Sequence, residues 1–181
     1  MKPRIRTLIT ADAIATRNTE LATAISAAVP PDVLVISILK GSFVFAADLI
    51  RALHHAGMMP QVEFMQLSSY RTGTVSSGQV EVLRDIDNDV RDRDVLLIDD
   101  ILESGRTLAY AKDLLAARGA RRVWVAVLVD KQVRRAVAIK PDFVGFECPD
   151  IFVVGYGMDV AHAFRELPFV GVVERDDDSP A

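Results

Sequence analysis

Residues 95–108 have the sequence Val95-Leu96-Leu97-Ile98-Asp99-Asp100-Ile101-Leu102-Glu103-Ser104-Gly105-Arg106-Thr107-Leu108. The four apolar residues that begin it predict a buried strand, and the short Ser-Gly-Arg-Thr turn opens into a helical pattern. Backbone N–H groups at such a strand-to-helix junction can bind a phosphate. The carboxylates just before the junction can hold ribose hydroxyls, a divalent cation or a developing positive charge. The segment therefore points to a ligand that contains both a phosphate and a sugar.

The same residues also fit a purely structural turn. Asp, Ser and Gly are common in helix caps and turns that bind nothing. Other nucleotide-binding and phosphoacceptor folds carry similar acidic strand ends. The turn is too short for the pattern G-x-x-x-x-G-K-[ST], which argues against a P-loop NTPase. On this segment alone, the structural and the ligand-binding interpretations are about equally supported.

The composition predicts a soluble, cytoplasmic protein with a single domain over residues 1–181. Half of the 181 residues are hydrophobic, which suffices for a sizeable core. The net charge of −4 argues against a general attraction to nucleic acid or to an anionic membrane. The lone Cys148 excludes an intramolecular disulfide and suits a reducing compartment. No apolar run approaches the ~20 residues of a membrane span, and the N-terminus lacks a secretory signal.

Outward from residues 95–108, the apolar periodicity predicts strands that alternate with helices. Helices are predicted over residues 10–29, 43–56 and 107–118, and strands over 33–39, 62–67, 80–83, 95–98, 123–129, 143–146, 152–154 and 169–173. Residues 68–78 are polar and glycine-punctuated, which predicts a mobile loop, and residues 174–181 are expected to fray. Thr10 is the expected N-cap of the first helix, and Trp124 is expected in the core. This alternation predicts an α/β fold with a mostly parallel central sheet and flanking helices.

Charged residues follow three of the predicted strands. Lys40, the pair Asp99-Asp100 and Lys131 each come directly after an apolar strand run. In a parallel sheet the carboxyl ends of the strands meet at one edge, where ligands bind. Their convergence favours the ligand-binding interpretation of residues 95–108.

Four segments together resemble a known family, the type I phosphoribosyltransferases, and specifically the bacterial hypoxanthine (hypoxanthine-guanine) phosphoribosyltransferases. Residues 38–49 are similar to the first loop of that family, and Ser68-Ser69-Tyr70 with the polar residues after it is similar to its flexible lid. Residues 95–108 resemble its phosphoribosyl pyrophosphate motif, and residues 140–147 with 152–159 its purine-binding segment. The resemblance covers roughly residues 34–173, with the segments in the same order.

The resemblance implies the activity and the assembly. The enzyme would transfer a phosphoribosyl group from phosphoribosyl pyrophosphate to hypoxanthine, and to guanine, with Mg²⁺ as cofactor. The products would be IMP or GMP and pyrophosphate. The fold would have a core at about residues 30–145 and a small hood built from the N-terminal and C-terminal segments. Such proteins usually form homodimers or homotetramers.

The resemblance also assigns the donor site. Ser104, Gly105, Arg106 and Thr107 would hold the 5′-phosphate, with Gly105 allowing close backbone approach. Asp99 and Asp100 would bind the ribose hydroxyls, stabilise the developing oxocarbenium ion and, with Asp159, contact the metal. Lys40, Gly41 and Arg165 would hold the pyrophosphate, and the Leu39–Lys40 peptide is expected to be cis.

The remaining assignments concern the purine and the lid. Phe152 would stack on the purine, the backbone of Val153 would meet its edge, and Lys131 would donate to the exocyclic oxygen O6. Asp159 would reach the exocyclic or metal side of this site. Ser69 and Tyr70 would close as a lid, since water competes as a nucleophile.

The sequence departs from the family pattern at two carboxylates. Asp99 stands where the family often has Glu, a shortening that a water molecule can fill. Glu103 stands where the family normally has Asp, the residue that takes the proton from the purine ring nitrogen. Glu can act as a general base as well as Asp, although its side chain is one methylene longer. We therefore assign Glu103 as the catalytic base.

Two alternatives to this function stay open. One is a regulator with the same fold that binds nucleotide and RNA, for which Arg121-Arg122 and Arg134-Arg135 could supply a basic patch. The negative net charge and the lack of an RNA-reading aromatic set argue against it. The other is an enzyme that prefers a different oxopurine, such as xanthine.

Overall fold

The computed structural model describes residues 4–72, 75–133 and 135–174. In chain order the elements are β1 (Arg4–Ile9), α1 (Ala11–Ala28), β2 (Leu34–Leu39), α2 (Phe43–His55), β3 (Gln61–Thr72), β4 (Val75–Arg84), β5 (Asp94–Leu102), α3 (Arg106–Ala117), β6 (Arg122–Asp130), β7 (Phe143–Glu147), β8 (Val153–Val154) and β9 (Val170–Glu174). The three predicted helices are found within two residues of their expected ends. Thr10 caps α1 as predicted, because its Oγ1 accepts a hydrogen bond from the N–H of Ala13 at 3.2 Å.

The central sheet has six strands in the order β4-β3-β2-β5-β6-β7. The pairs β2/β3, β2/β5, β5/β6 and β6/β7 are parallel, and only β3/β4 is antiparallel. Strands β2, β5 and β6 are apolar on both faces, as expected for central strands covered by helices on each side. The predicted α/β fold with a mostly parallel central sheet is confirmed.

Alternate residues of these strands enter two separate cores. On one face, Val35 and Ile98 pack with buried residues of α1 and α2, such as Ile25 and Leu49. On the other face, neighbouring positions such as Ile36 pack with the buried residues of α3. Trp124 is 5% exposed and belongs to the first core, as predicted. Packing of the helices on both faces holds the central strands in place. It thereby also sets the positions of the residues at the carboxyl ends of these strands.

A second, three-stranded sheet has the order β1-β9-β8 and is antiparallel. It is built from N-terminal and C-terminal segments, the parts of the chain for which a hood is predicted. The fraying predicted for residues 174–181 falls outside the described residues, except that Glu174 ends β9. In the part of the chain that the structure describes, no helix has the length and apolar character needed to cross a bilayer.

Residues 68–72 and 75–78, predicted to form a loop, are strand instead, so that part of the prediction is wrong. Strand β3 continues to Thr72, and β4 begins at Val75 and pairs with it in antiparallel register, so that Ser68 faces Glu81. The prediction failed because strand formation here depends on the partner strand, which a polar local composition does not reveal. The backbone of Ser69 and Tyr70 lies in β3, whereas their side chains and residues 73–74 lie outside the described part.

Candidate active site

The residues predicted to carry the chemistry lie at one edge of the central sheet. Strands β2, β5 and β6 are adjacent and parallel, so their carboxyl ends point the same way. Lys40 follows β2, and Lys131 follows β6. Asp99 and Asp100 lie inside β5, which extends to Leu102. The Leu39–Lys40 peptide is cis, as expected.

The pair Asp99-Asp100 is an acidic centre in which Asp99 is buried and Asp100 is half-buried. Asp99 is 7% exposed, and its Oδ1 accepts a hydrogen bond from the N–H of Asp100 at 3.0 Å. Burial, together with the negative charge of Asp100, raises the pKa of Asp99 well above its ordinary value. Burial also raises the pKa of Asp100, although the positive charge of Arg165 acts in the opposite direction. Two adjacent carboxyl groups, one buried and one half-buried, favour a ligand that brings hydroxyl groups or positive charge.

The predicted phosphate loop, residues 103–105, connects β5 to α3. Gly105 has φ 81°, the left-handed region, and α3 begins at the next residue. A Cβ at Gly105 would lie 2.7 Å from the carbonyl oxygen of Val137. The carbonyl of Ser104 accepts the N–H groups of Ala136 and Val137 at 2.9 and 3.1 Å, which fixes the loop. The N–H of Arg106, the first residue of α3, donates to Ser104 Oγ at 3.4 Å, and the N–H groups that follow in the first turn are suited to an anion.

The side chain of Glu103 extends from this loop towards β6. Its Oε2 lies 3.8 Å from Nζ of Lys131, whose side chain is only 4% exposed. Arg135 donates to the carbonyl oxygen of Glu103 at 3.2 Å and also forms an ion pair with Asp130. Glu103 is therefore tied to the end of β6 through both its backbone and its carboxylate.

Arg135 is the site residue that sequence analysis missed. The sequence offers it for a basic surface patch, whereas its side chain is only 20% exposed and contacts Asp130 and the carbonyl oxygen of Glu103. Its position shortly after the end of β6 is the only sequence signal for a role in the site. The signal is weak, because its contact with Glu103 joins segments that are far apart in the chain. Arg121 is likewise paired, with Asp94.

A turn after β8 brings Asp159 and Arg165 to the same edge. Arg165 donates from Nη1 to the carbonyl oxygen of Gly157 at 2.6 Å, and its Nη2 lies 2.8 Å from Asp159 Oδ1. The other oxygen of Asp159 accepts the N–H of His162 at 2.7 Å. A Cβ at Gly157 would lie 2.2 Å from the carbonyl oxygen of Gly41, so this turn touches the Lys40–Gly41 turn.

The predicted metal set does not form a closed cluster. Within residues 4–72, 75–133 and 135–174, no three His, Cys, Asp or Glu side chains are arranged to hold an ion. Asp159 is instead engaged by Arg165, which leaves Asp99 and Asp100 as the adjacent carboxylates of the site. Mg²⁺ commonly takes one or two carboxylates and completes its shell with substrate phosphates and water. The donor set therefore fits Mg²⁺ bound together with a phosphorylated substrate.

The segment that carries Phe152, the predicted purine platform, leaves the sheet next to the end of β6. The N–H of Cys148, which follows β7, donates to the carbonyl oxygen of Asp130 at 2.9 Å. Phe152 comes four residues later, a span of at most about 14 Å of extended chain. Phe152 is 58% exposed, so a ligand can reach it. Val153 is buried in β8, an edge strand of the second sheet.

Comparisons with known proteins agree with this arrangement. The profile of the family "Phosphoribosyl transferase domain" matches residues 8–161. Hypoxanthine-guanine phosphoribosyltransferase of Bacillus subtilis is 47% identical over 141 residues, which are 78% of this chain and 77% of that protein.

Solved structures show the same fold. A hypoxanthine phosphoribosyltransferase from Staphylococcus aureus superposes with a TM-score of 0.88 at 36% identity, covering 97% of this chain and 94% of that one. A hypoxanthine-guanine phosphoribosyltransferase from Bacillus anthracis gives a TM-score of 0.87 at 39% identity, covering 94% and 100%. The resemblance predicted from the four sequence segments is confirmed. The chain belongs to the phosphoribosyltransferase family, in the group of the hypoxanthine-guanine phosphoribosyltransferases.

Proposed function

We propose that this chain transfers the phosphoribosyl group of phosphoribosyl pyrophosphate to hypoxanthine and guanine, forming IMP or GMP and pyrophosphate in purine salvage. One observation carries the proposal. The acidic pair Asp99-Asp100 lies between a loop suited to a phosphate and two touching turns, one with Lys40 and Gly41 and the other with Arg165. A sugar phosphate with a second anionic group matches this order of acidic and basic groups.

The 5′-phosphate of the donor is assigned to residues 104–107. The first N–H groups of α3 and the hydroxyls of Ser104 and Thr107 supply hydrogen bonds, and the helix start favours negative charge. Arg106 adds a positive charge at the same end of the helix. This binding holds the ribose in a fixed position over the acidic pair.

Asp99 and Asp100 act on the ribose. Their oxygens bind the two ribose hydroxyls and stabilise the positive charge that develops as the bond from C1′ to pyrophosphate breaks. Mg²⁺ bound between these carboxylates and the substrate would neutralise charge on the pyrophosphate. Lys40 and Arg165 neutralise the remaining negative charge, and Gly41 lets the backbone approach the leaving group.

The purine is bound on the other side of the ribose. Phe152 stacks on the ring, Val153 meets its edge with backbone groups, and Lys131 donates to O6, which selects 6-oxopurines. The new bond forms between C1′ and a ring nitrogen, and Glu103 takes the proton from the purine ring. Lys131 lies close enough to Glu103 to stabilise its negative charge before the transfer. Asp159 orients Arg165. Ser69 and Tyr70 are assigned to a lid that excludes water.

A substrate competition assay tests the function. The full chain is incubated with phosphoribosyl pyrophosphate, Mg²⁺ and hypoxanthine, guanine, xanthine or adenine at one donor concentration. We expect nucleotide from hypoxanthine and guanine, and loss of product when the metal is chelated. A chain that forms no nucleotide but binds RNA in a salt-sensitive manner would be the regulator. Preferential turnover of xanthine would contradict the assignment of hypoxanthine and guanine as the substrates.

The assembly and location are also part of the proposal. We assign a homodimer or homotetramer, which is supported by Val62 and Phe64, exposed to 36% and 41% on the same face of β3. Cytoplasmic localisation is supported by the free thiol of Cys148. Light scattering coupled to size exclusion measures the mass directly, and a monomer at micromolar concentration would contradict the assembly.

A further inference from the structure

We propose that Tyr156 is a positioning residue that holds the Gly157–Arg165 turn against the Lys40–Gly41 turn and so sets the affinity for the donor's pyrophosphate group. The inference rests on the proposed function, because it assigns that group to these two turns. Tyr156 itself is 5% exposed, and although it lies within the predicted purine-binding segment, no contact with a substrate is assigned to its side chain. It acts through the residues on either side of it.

The hydroxyl of Tyr156 joins three parts of the fold. It accepts a hydrogen bond from Nδ2 of Asn18 in α1 at 2.9 Å. It donates to Oδ2 of Asp48 in α2 at 2.5 Å. Asp48 is also paired with Arg51 one turn later on the helix. One hydroxyl group therefore links the turn that follows β8 to both helices on that face of the sheet.

The backbone around Tyr156 has an unusual conformation that these contacts stabilise. Gly155, Tyr156 and Gly157 have φ values of 93°, 50° and 98°, three consecutive residues in the left-handed region. That region is disfavoured for a bulky aromatic residue such as Tyr156. The N–H of Tyr156 donates to Leu167 O at 2.8 Å, and that of Gly157 to Arg165 O at 3.0 Å. Such a conformation persists where the surrounding contacts over-determine it, and it commonly occurs at functional sites.

The contacts continue from Tyr156 to the pyrophosphate side of the site. Gly157, the next residue, packs its Cα against the carbonyl oxygen of Gly41, and its own carbonyl accepts a hydrogen bond from Arg165. Asp48 belongs to α2, whose first residue, Phe43, follows the Lys40–Gly41 turn closely. The bond from Tyr156 to Asp48 therefore fixes both turns relative to each other. No comparable link runs from this hydroxyl to Phe152 or Lys131 among the described residues.

The placement predicts a selective kinetic effect. In Tyr156→Phe, which loses only the hydroxyl, we expect KM for phosphoribosyl pyrophosphate to rise about three- to tenfold, the size typical of coupling through residues that touch no ligand. KM for hypoxanthine and kcat should stay within about twofold of wild type, since the purine side and Glu103 are held by other contacts. Pyrophosphate, the product, inhibits the enzyme by occupying the same subsite. Its inhibition constant should therefore rise by a similar factor as KM for the donor.

Variants of Asp48 test the same bond from the other side. Asp48→Ala removes the acceptor of the Tyr156 hydroxyl and should raise KM for the donor. Asp48→Asn keeps an acceptor oxygen, so its KM for the donor should stay close to the wild-type value. Arg51→Ala breaks only the ion pair with Asp48 and should resemble wild type. Tyr110→Phe, an exposed tyrosine on α3, is the matched control for loss of a phenolic hydroxyl. If Tyr156→Phe does not fold, the Asp48 series still decides.

Two outcomes would overturn the inference. One is an unchanged KM for the donor in both Tyr156→Phe and Asp48→Ala. The other is an equal loss in both KM values and kcat, which would mark a purely structural role. A wild-type chain that forms no nucleotide would contradict the proposed function instead, so the two failures are distinguishable.

Discussion

The backbone of Gly41 lies directly against the carboxylate of Asp100. A Cβ at residue 41 would be 1.9 Å from Asp100 Oδ2, far below the contact distance of real Cβ atoms. On its other side, the carbonyl oxygen of Gly41 touches Gly157. Gly41 thus connects the acidic pair to the turn that carries Arg165, and no larger residue fits there without displacing one of them.

Gly41→Ala should therefore disable the enzyme while the protein still folds. The methyl group would push Asp100 or the Lys40–Gly41 turn away from the donor, and a displacement near 1 Å can cost about 10²-fold in rate. We expect kcat/KM for phosphoribosyl pyrophosphate to fall by about that factor. Gly57→Ala is the control, because nothing lies within 4 Å of a Cβ there, although φ at Gly57 is 85°. It should lose some thermal stability and keep its activity; the reverse pattern would contradict the assignment.

The central strands could be predicted from the sequence, and the contacts between turns could not. The strands β2, β5 and β6 carry continuous apolar runs, which is a local signal of burial on both faces. If these strands are parallel, their carboxyl ends lie at the same edge of the sheet. Lys40, Asp99 and Lys131 are then expected close to one another at that edge. The contact of Gly41 with Gly157 joins segments far apart in the chain, and no spacing rule encodes it.

The loop prediction failed, and Arg135 was missed, for the same physical reason. The β3/β4 hairpin forms because each strand satisfies the backbone of the other, so the polar composition of residues 68–78 was misleading. Arg135 could be taken for a surface residue because its partners, Asp130 and the carbonyl of Glu103, lie on other elements. The local sequence pattern indicates which residues are buried and which elements form. Which side chain or strand contacts which other one depends on the assembled fold.

Glu103 is predicted to act as the general base. Glu103→Gln keeps the shape of the side chain and cannot take a proton, so kcat should fall by about 10²- to 10⁴-fold. Glu103→Asp restores the carboxylate in a shorter side chain and should keep much more activity than Glu103→Gln. Steady-state kinetics with hypoxanthine, with Glu20→Gln on α1 as a remote control, measures the difference. Equal activity of Glu103→Gln and wild type would exclude this role.

Asp99 should make the folded protein less stable as the pH rises. Burial and the charge of Asp100 raise its pKa above the usual 3.8, so the folded state binds this proton more tightly than the unfolded state. The free energy of unfolding then declines as the pH rises above 3.8 and through the raised folded pKa. Asp99→Asn removes this dependence and keeps an oxygen that can accept the N–H of Asp100.

The Asn variant should consequently unfold at a higher urea concentration than wild type at neutral pH, with the difference shrinking towards acid. The same variant should lose most of its activity, since the ribose loses a carboxylate. Urea titrations at a series of pH values provide the measurement, and Asp113→Asn, at an exposed position on α3, is the control. A variant less stable than wild type at neutral pH would show that the ionised Asp99 is stabilising.

Phe152 should matter for the purine and hardly at all for folding. Its side chain is 58% exposed, so Phe152→Ala forfeits little burial, and we expect a change in unfolding free energy below about 1 kcal/mol. Stacking of an aromatic ring on a base contributes about 1–3 kcal/mol, which corresponds to a rise of about 5- to 150-fold in KM for hypoxanthine. KM for phosphoribosyl pyrophosphate should change little, and Phe152→Tyr should retain purine binding because the ring face is preserved. Met59→Ala, at an apolar residue that is 77% exposed, controls for loss of surface hydrophobicity. An unaltered KM for hypoxanthine in Phe152→Ala would mean that Phe152 does not stack on the purine and that the purine binds elsewhere.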